Sequence, residues 1–527
     1  MCETTRWLYV PVEGAELFTV VCLPEEGQSF PVLLIRTPYV DDMETMAEEE
    51  ICRKLRQMHA DWLENGYAVV FQHCRGRGKS TGDCIPYIHE REDSLALQAW
   101  VRRQPFYQGE LYLYGRSYSS SVHFVTAPFA HDVKGAVLAV QDSQRYNANY
   151  RNGFYKPALH GEWYVGMYKK KSLREKAYTP DSFRMLPLSD FSQKVFGEKA
   201  ESFDEVLRHP SPDDPFWHTR FGGGEAYDAV RHVRIPVLLV TGFYDIYTGG
   251  VFDMWKRMDD EARACCALAV GPYGHNREPG DQPVYFENGK LEDAFGDYPV
   301  RWMNAVRSQE PWPFERGKVT YYSLFGQGWR TDDFAPKRET LSFALGEGER
   351  TYLYNPADPA SFRGGLSANF GGTAWQDAPG SRSDVLTFYT PAFEKDTRVH
   401  GQMTARLCVR SSCEDTCFYV RLSLVKEQGD YGLRDDIQQI SNFCPDYVPG
   451  AEQMLDFVFD EHSFTIHAGE RLRIDVSSSA YPLYVPHTNY RGLYCDQAAA
   501  CIAENTIICG LSALTIPVEQ EDASHDH

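Results

Sequence analysis

Ser117, Asp245 and His275 have the types, order and settings of a hydrolytic triad. Ser117 lies in GRSYSS (115–120), between the run LYLY and an apolar helical stretch. A serine on a sharp strand-to-helix turn presents its hydroxyl to a pocket. Such a turn packs tightly, so it needs small neighbours, and Gly115, Ser119 and Ser120 supply them. Asp245 ends the run PVLLVTGFYD, and His275 follows CALAVGPYG. An imidazole can take the serine proton, while a carboxylate holds the imidazole tautomer and stabilises its charge. Each residue also has a plainer reading, as turn serine, helix cap or loop histidine. The right types in the order Ser, Asp, His, each at a strand end, favour the triad. Such chemistry also needs donors for a developing oxyanion. The Tyr118 backbone amide, next after the serine, is one. The second is expected in the loop after PVLLIRTPY, where the Tyr39 hydroxyl stands just beyond Pro38.

A second stretch invites a different chemistry. FQHCRGRGKSTGD (71–83) follows an apolar run and contains GKST, the ending of a phosphate-binding loop. That loop needs a glycine where His73 stands, and a helix directly after Ser80 whose amides face the phosphates. Here TGDCIP comes next, which is loop chemistry. The stretch therefore reads as a structural turn, with Arg75 and Arg77 free to pair with carboxylates and Lys79 holding no nucleotide.

The elements that must position these residues can be read from periodicity. WLYVPV, ELFTVVCLP, PVLLIRTPY and YAVVFQ read as strands, with helices over 43–64 and 89–105. GELYLYGRSYSSSVHFVTA reads as strand, turn and helix, and VKGAVLAV as a further strand. Strands alternating with helices imply a mostly parallel sheet covered on both faces. The pattern breaks over 143–232, an irregular aromatic-rich insertion, and resumes with the strands that carry Asp245 and His275. From about 315 the period becomes two. In FYVRLSLV, Phe418, Val420, Leu422 and Leu424 alternate with Tyr419, Arg421 and Ser423. In RLRIDVS, Leu472, Ile474 and Val476 alternate with Arg471, Arg473 and Asp475. That is an antiparallel sandwich, read as a jelly roll. The expected division is a catalytic α/β domain over 1–142 and 233–314, an inserted cap over 143–232, a sandwich over 315–518 and a disordered tail over 519–527.

Composition narrows the function. The 527 residues are 43% apolar and 24% charged, as in an ordinary globular protein. A net charge of −21 opposes nucleic acid and anionic membrane surfaces. No apolar span is long enough to cross a bilayer. The start, MCETTRWLYV, lacks the basic and apolar regions of an export signal, so a cytoplasmic location is expected. The fourteen cysteines form no C-x-x-C pair and no Cys/His cluster with zinc spacing, so free thiols are expected.

Taken together, RTPY, RGRGKSTGD, QPFYQGELYLYGRSYSS, TGFYD and GPYGH resemble the cocaine esterase/X-prolyl dipeptidyl peptidase-like serine hydrolases, in their order and with near their spacing. HPSPDDPFWHTR (209–220) resembles the end of that family's helical cap. YLYNPADPA, DVLTFYTPAF and GERLRIDVSSSAYP resemble its jelly roll. The resemblance implies an α/β-hydrolase domain with an inserted helical cap and a C-terminal jelly roll. It also implies Ser117 as nucleophile, Asp245 as orienting acid, His275 as base and Tyr39 as oxyanion donor, with no metal and no cofactor. The chain departs from the family pattern at His73, where Asp is usual, at Ser120, where Gly is common, and at Tyr273, where Trp is common.

The pocket is expected from the cap. Tyr146, Tyr150 and Phe154 recur every four residues, as one stripe of a helix, and Trp163, Tyr164 and Tyr168 come after them. The stripe reads either as cap core or as pocket wall. Tyr247, two past Asp245, is a further candidate for the acyl site. The substrate is expected to be a small acyl ester. The alternatives are a peptide or amide, as for an X-prolyl dipeptidyl peptidase or a β-lactam acylase, and a non-catalytic sugar-binding or scaffold role for the sandwich. A dipeptidyl peptidase must hold an amine, for which Asp213 and Asp214 are candidates. Self-association is left open.

Overall fold

In the computed structural model, residues 4–169, 179–219, 224–275, 283–308, 310–335, 339–365 and 372–519 are described. The expected tail from 520 onward lies outside them, while Glu519 ends a strand. No helix among the described residues is long and apolar enough to cross a membrane.

The apolar runs become strands β1 (Thr5–Val12), β2 (Ala15–Cys22), β3 (Phe30–Thr37), β4 (Ala68–His73), β5 (Tyr107–Arg116) and β6 (Val133–Ala139). After the insertion, which contributes the short β7 (Tyr150–Arg151) and β8 (Phe154–Tyr155), the sheet continues as β9 (Val237–Tyr244), β10 (Ala267–Gly274), β11 (Val319–Ser323) and β12 (Gly328–Asp332). The ten strands lie in the order β1-β2-β4-β3-β5-β6-β9-β10-β11-β12. All pairs from β4 to β11 are parallel, and the two edges are antiparallel. Strands β3, β4, β9 and β10 are buried at every position, which is why they read as continuous apolar runs. Alternate residues feed two cores. Leu34, Val70, Leu113, Leu239 and Val270 pack on one face, and Leu33, Val69, Tyr112, Leu238 and Ala269 on the other. The covering helices include α1 (Glu48–Met58), α2 (Ala60–Glu64), α3 (Glu90–Val101) and α4 (Tyr118–Phe124).

The insertion differs from its expected helix. Helix α5 (Arg145–Asn149) stops after Asn149, and β7 and β8 fold back on each other as a hairpin. Its tip is Asn152-Gly153, at φ 49° and 90°. An Asn-Gly pair accepts two successive positive φ values at little cost and so favours a tight hairpin turn. That local preference overrides the four-residue period of Tyr146, Tyr150 and Phe154. A π-helical turn (Pro157–Gly161) and α6 (Glu162–Met167) complete this part of the cap. An aromatic cluster that includes Tyr150, Tyr164, Phe203 and Trp217 forms the centre of the cap.

The period-two region also divides. Its first two strands, β11 and β12, join the main sheet rather than the sandwich. The strands from Thr340 onward form two antiparallel sheets, of eight and four strands. In the four-stranded sheet, Phe418, Val420, Leu422 and Leu424 fill the core, as the alternation requires. The intervening polar residues are buried too, against the hydrolase domain and the cap, so their charges must find partners inside. Arg421 meets Asp435 at 3.5 Å. Arg473 meets Asp475 at 2.9 Å and Asp430 at 2.6 Å. Arg434 donates to the backbone carbonyls of Phe243 at the end of β9 and of Asp460 and Glu461. From the cap hairpin, Arg151 reaches Asp436 and Asp460, both at 2.7 Å, and the Val458 carbonyl at 2.6 Å.

Removing one member of a buried ionic group strands the others without water. Arg151→Met is therefore expected to lower stability by about 3 kcal/mol in urea denaturation. Adding Asp436→Asn and Asp460→Asn should recover much of that loss. A loss below about 0.5 kcal/mol, the size of a surface effect, would show that the hairpin is not anchored by this charge.

Candidate active site

Ser117 joins β5 to α4 with φ 55° and ψ −133°, a conformation that L-residues rarely hold. Its surroundings fix it there. The Ser117 amide donates to the Ala139 carbonyl at the end of β6, at 2.9 Å, and the Ser120 amide donates to the Ser117 carbonyl at 2.8 Å. A Cβ on Gly115 would collide with the Ser119 carbonyl, so glycine is required two residues before Ser117. Ser120, in the place of the family's common glycine, is fully buried and donates its hydroxyl to the Ala139 carbonyl at 3.0 Å. Its hydroxyl thus has a partner, and the sharp turn forms with serine at that place.

Asp245 and His275 arrive from the ends of the neighbouring β9 and β10. The His275 Nε2 is 3.0 Å from the Ser117 Oγ, and its Nδ1 is 2.9 Å from the Asp245 Oδ2. The other carboxylate oxygen of Asp245 accepts the Tyr247 amide at 2.8 Å. Asp245 has no exposed surface and His275 is 6% exposed. The carboxylate is therefore dry and held on both oxygens, which fixes the ring it faces.

Tyr39 completes the cluster. Its hydroxyl lies 3.4 Å from the Ser117 Oγ and accepts the Trp163 indole N–H at 3.2 Å. The Tyr118 amide faces the same phenol oxygen. Although 44% of Tyr39 is accessible, that surface faces the cavity, and the hydroxyl itself is crowded by neighbours. This desolvation raises its pKa, and the hydrogen bonds from Ser117, Trp163 and the Tyr118 amide oppose the rise.

The glycine-rich turn serves this same residue. Arg77 donates to the Pro38 carbonyl at 3.0 Å and pairs with Asp41, so it grips the chain on both sides of Tyr39. Gly76 and Gly78 have φ 67° and 52°, and a Cβ would strike Cys84 at the first and His73 at the second. His73 is fully buried, which pushes its pKa down to about 4, and its Nδ1 accepts the Lys79 amide at 3.2 Å. Arg75 finds Asp93 at 2.7 Å. No helix begins until Glu90, and the Lys79 ammonium lies 3.7 Å from Glu48.

A cavity of about 480 Å³ opens over Ser117. Trp163 and Tyr247 line it, together with Tyr87, Leu159, Ile246 and, at its polar edges, Arg116 and Glu162. Tyr146, Tyr150 and Phe154, the other expected wall residues, do not reach it. Tyr146 and Tyr150 stack at 5.6 Å and donate their hydroxyls to the Pro210 and Val206 carbonyls in the cap core. Phe154 packs with Tyr419 and Leu483 of the sandwich. Tyr87 is a wall residue that the sequence does not reveal. It sits at φ 71°, a backbone state that no residue type signals here, with its amide donating to the Tyr118 hydroxyl at 2.7 Å. The amine-holding candidates also lie elsewhere. Asp214 caps a short helix through the Phe216 amide and pairs with His209, and Asp213 is exposed.

Residues 13–277 match the X-Pro dipeptidyl-peptidase (S15 family), and residues 312–513 match the X-Pro dipeptidyl-peptidase C-terminal non-catalytic domain. The chain is similar to the cocaine esterase of Rhodococcus sp. (strain MB1 Bresler), with 25% identity over 561 aligned positions that cover 94% of each protein. An aminopeptidase from a marine sediment Thaumarchaeota archaeon shares the fold, with a TM-score of 0.82 at 19% identity over 98% of this chain and 96% of the other. An alpha-amino acid ester hydrolase does so with a TM-score of 0.79 at 18% identity and the same coverage. With a mixed sheet that carries a serine turn and an antiparallel sandwich after it, the chain belongs to the X-Pro dipeptidyl-peptidase (S15) family of CocE/NonD serine hydrolases.

Proposed function

We propose that the protein hydrolyses acyl esters through Ser117, His275 and Asp245, by way of a covalent acyl-enzyme. The observation that carries this reading is one unbroken hydrogen-bond chain, Asp245 to His275 to Ser117, ending in a cavity where the Tyr39 hydroxyl lies 3.4 Å from the Ser117 Oγ. His275 takes the Ser117 proton as the Oγ attacks the acyl carbonyl. Asp245 stabilises the imidazolium without taking its proton. The Tyr39 hydroxyl and the Tyr118 amide then bind the oxyanion, and His275 protonates the leaving alcohol. Water, deprotonated by the same histidine, releases the acid. Trp163 acts through Tyr39. An N–H donated to the phenol oxygen orients its O–H and makes it a better donor. The aromatic and aliphatic wall of Tyr87, Trp163, Leu159, Ile246 and Tyr247 suits a bulky apolar acyl group.

Glu162 favours a second reading. It is the carboxylate side chain among the described lining residues, and a carboxylate can hold the amine of a peptide or amino-acyl substrate. Kinetics on paired esters with and without an α-amine separate the two. A preference for the amine that is lost in Glu162→Gln supports the second reading.

Ser117→Ala is expected to fold normally, to lose fluorophosphonate labelling and to lower kcat by about 10⁶-fold. Full labelling of that variant would identify a different serine. Tyr39→Phe should barely move the melting point while kcat falls about 10² to 10³-fold at nearly unchanged KM, measured on an ester whose acylation limits the rate. Trp163→Phe keeps a ring but removes the N–H, and kcat should fall about fivefold, the worth of one neutral hydrogen bond. Unchanged kcat in Tyr39→Phe removes that hydroxyl from the mechanism.

A further inference from the structure

The thirteen cysteines among the described residues are free thiols, and two of them meet on the rim of the sandwich. Cys413 lies just after the strand Thr404–Ser411, and Cys501 precedes the strand Ala503–Ile508. The strands pair antiparallel with Ser411 opposite Asn505. The ladder runs on past them, with the Ser412 amide donating to the Glu504 carbonyl at 3.0 Å and the Glu504 amide to the Ser412 Oγ at 2.9 Å. One more step sets Cys413 opposite Ala503, which makes Cys501 its diagonal neighbour on the same face. The two Sγ atoms are 3.7 Å apart, and both residues are partly exposed. A disulfide needs sulfurs about 2.05 Å apart, so closure brings the two together by about 1.7 Å at the end of a ladder, where the chain leaves the sheet.

The pair stands at the root of a long connection. Residues 478–502 cross from the strand Arg471–Ser477 to the strand Ala503–Ile508 without a strand of their own. Val485 and Cys495 of this strap lie in the aromatic core of the cap, and the Tyr494 hydroxyl is 3.3 Å from that of Tyr150. The backbone of Cys501 holds the strap's middle. Its amide donates to the Thr488 carbonyl at 3.0 Å, and its carbonyl accepts the Asn489 side-chain amide at 2.6 Å. Whatever fixes Cys501 therefore fixes the segment on which the cap rests.

We propose that Cys413 and Cys501 form a reversible redox clasp that fastens this strap to the sandwich, closed by a peroxide and opened by a dithiol. One thiolate attacks the peroxide O–O bond, giving a sulfenic acid and releasing water once the leaving hydroxide is protonated. The second thiolate attacks that sulfur and expels hydroxide, which takes up the proton that the thiol released and leaves as a second water. Two thiols and one hydrogen peroxide thus yield one disulfide and two waters, with two electrons passing from sulfur to oxygen. A dithiol returns them by exchange. The adjacent Cys265 and Cys266, at 3.9 Å, tie down nothing beyond a single turn.

The test uses the full chain. Native protein is treated with a slight excess of hydrogen peroxide, denatured, alkylated and digested, and its thermal unfolding is measured in parallel. The expected result is a Cys413–Cys501 cross-linked peptide, two fewer alkylated thiols and an unfolding midpoint raised by about 5 °C, since the bond closes a loop between residues 88 apart. Dithiothreitol should reverse all three. Cys501→Ser should fold, retain its unoxidised midpoint and show neither the peptide nor the shift. Absence of the cross-linked peptide, oxidation that stops at a sulfonic acid on Cys413, or a cross-link that leaves the midpoint unmoved would overturn the proposal.

Discussion

A backbone conformation that serine ordinarily avoids holds the candidate active site of this molecule together. Ser117 at positive φ stores strain of order 1–3 kcal/mol. It persists because the surrounding structure leaves it no alternative. Gly115 lets the turn pass the Ser119 carbonyl, Ala139 of the neighbouring strand takes hydrogen bonds from both Ser117 and Ser120, and α4 starts at once. The neighbouring β9 and β10 then deliver a carboxylate and an imidazole to the same edge. The parallel sheet is thus more than a scaffold. Its strand order decides which side chains can meet the serine, and its buried interior keeps Asp245 dry.

The insertion completes what the sheet begins. Tyr39 stands on the sheet side, gripped by Arg77 through Pro38 and Asp41, but the indole that donates to its hydroxyl comes from α6 of the cap. Cap and sheet therefore share one hydrogen-bond cluster. The sandwich in turn supports the cap. It does so with charges, through Arg151 on the hairpin and Asp436 and Asp460 beneath it, and with apolar surface, through Phe154 against Tyr419 and Leu483.

Much of this is legible in the sequence because it depends on local chemistry. Continuous apolar runs announce strands buried on both faces, and the strand-end settings of Ser117, Asp245 and His275 come from those runs. The glycine-rich turn is separated from a phosphate loop by the loop-forming residues Gly82 and Pro86, which stand where a helix would have to begin. Other features depend on contacts across space. The period of Tyr146, Tyr150 and Phe154 suggests a helix, yet Asn152-Gly153 carries a stronger hairpin signal within the same stretch. The alternation around Phe418 reveals a strand but not that a second domain covers its polar face. Strands β11 and β12 have the period of the sandwich but the register of the main sheet. Nothing in the residues around Tyr87 marks its positive φ, so that part of the cavity wall has no signature to read.

The anchored hairpin has a consequence for how substrate is received. A cap tied down by a half-buried guanidinium on two buried carboxylates begins in an ordered state. A molecule entering the cavity then has little chain entropy to remove before its contacts count toward binding. Under the proposed mechanism, pre-organisation of this kind leaves binding energy available for contacts made only in the transition state, where it raises turnover rather than affinity alone. It also makes the cavity a rigid mould, so that shape selection is settled before any molecule enters it.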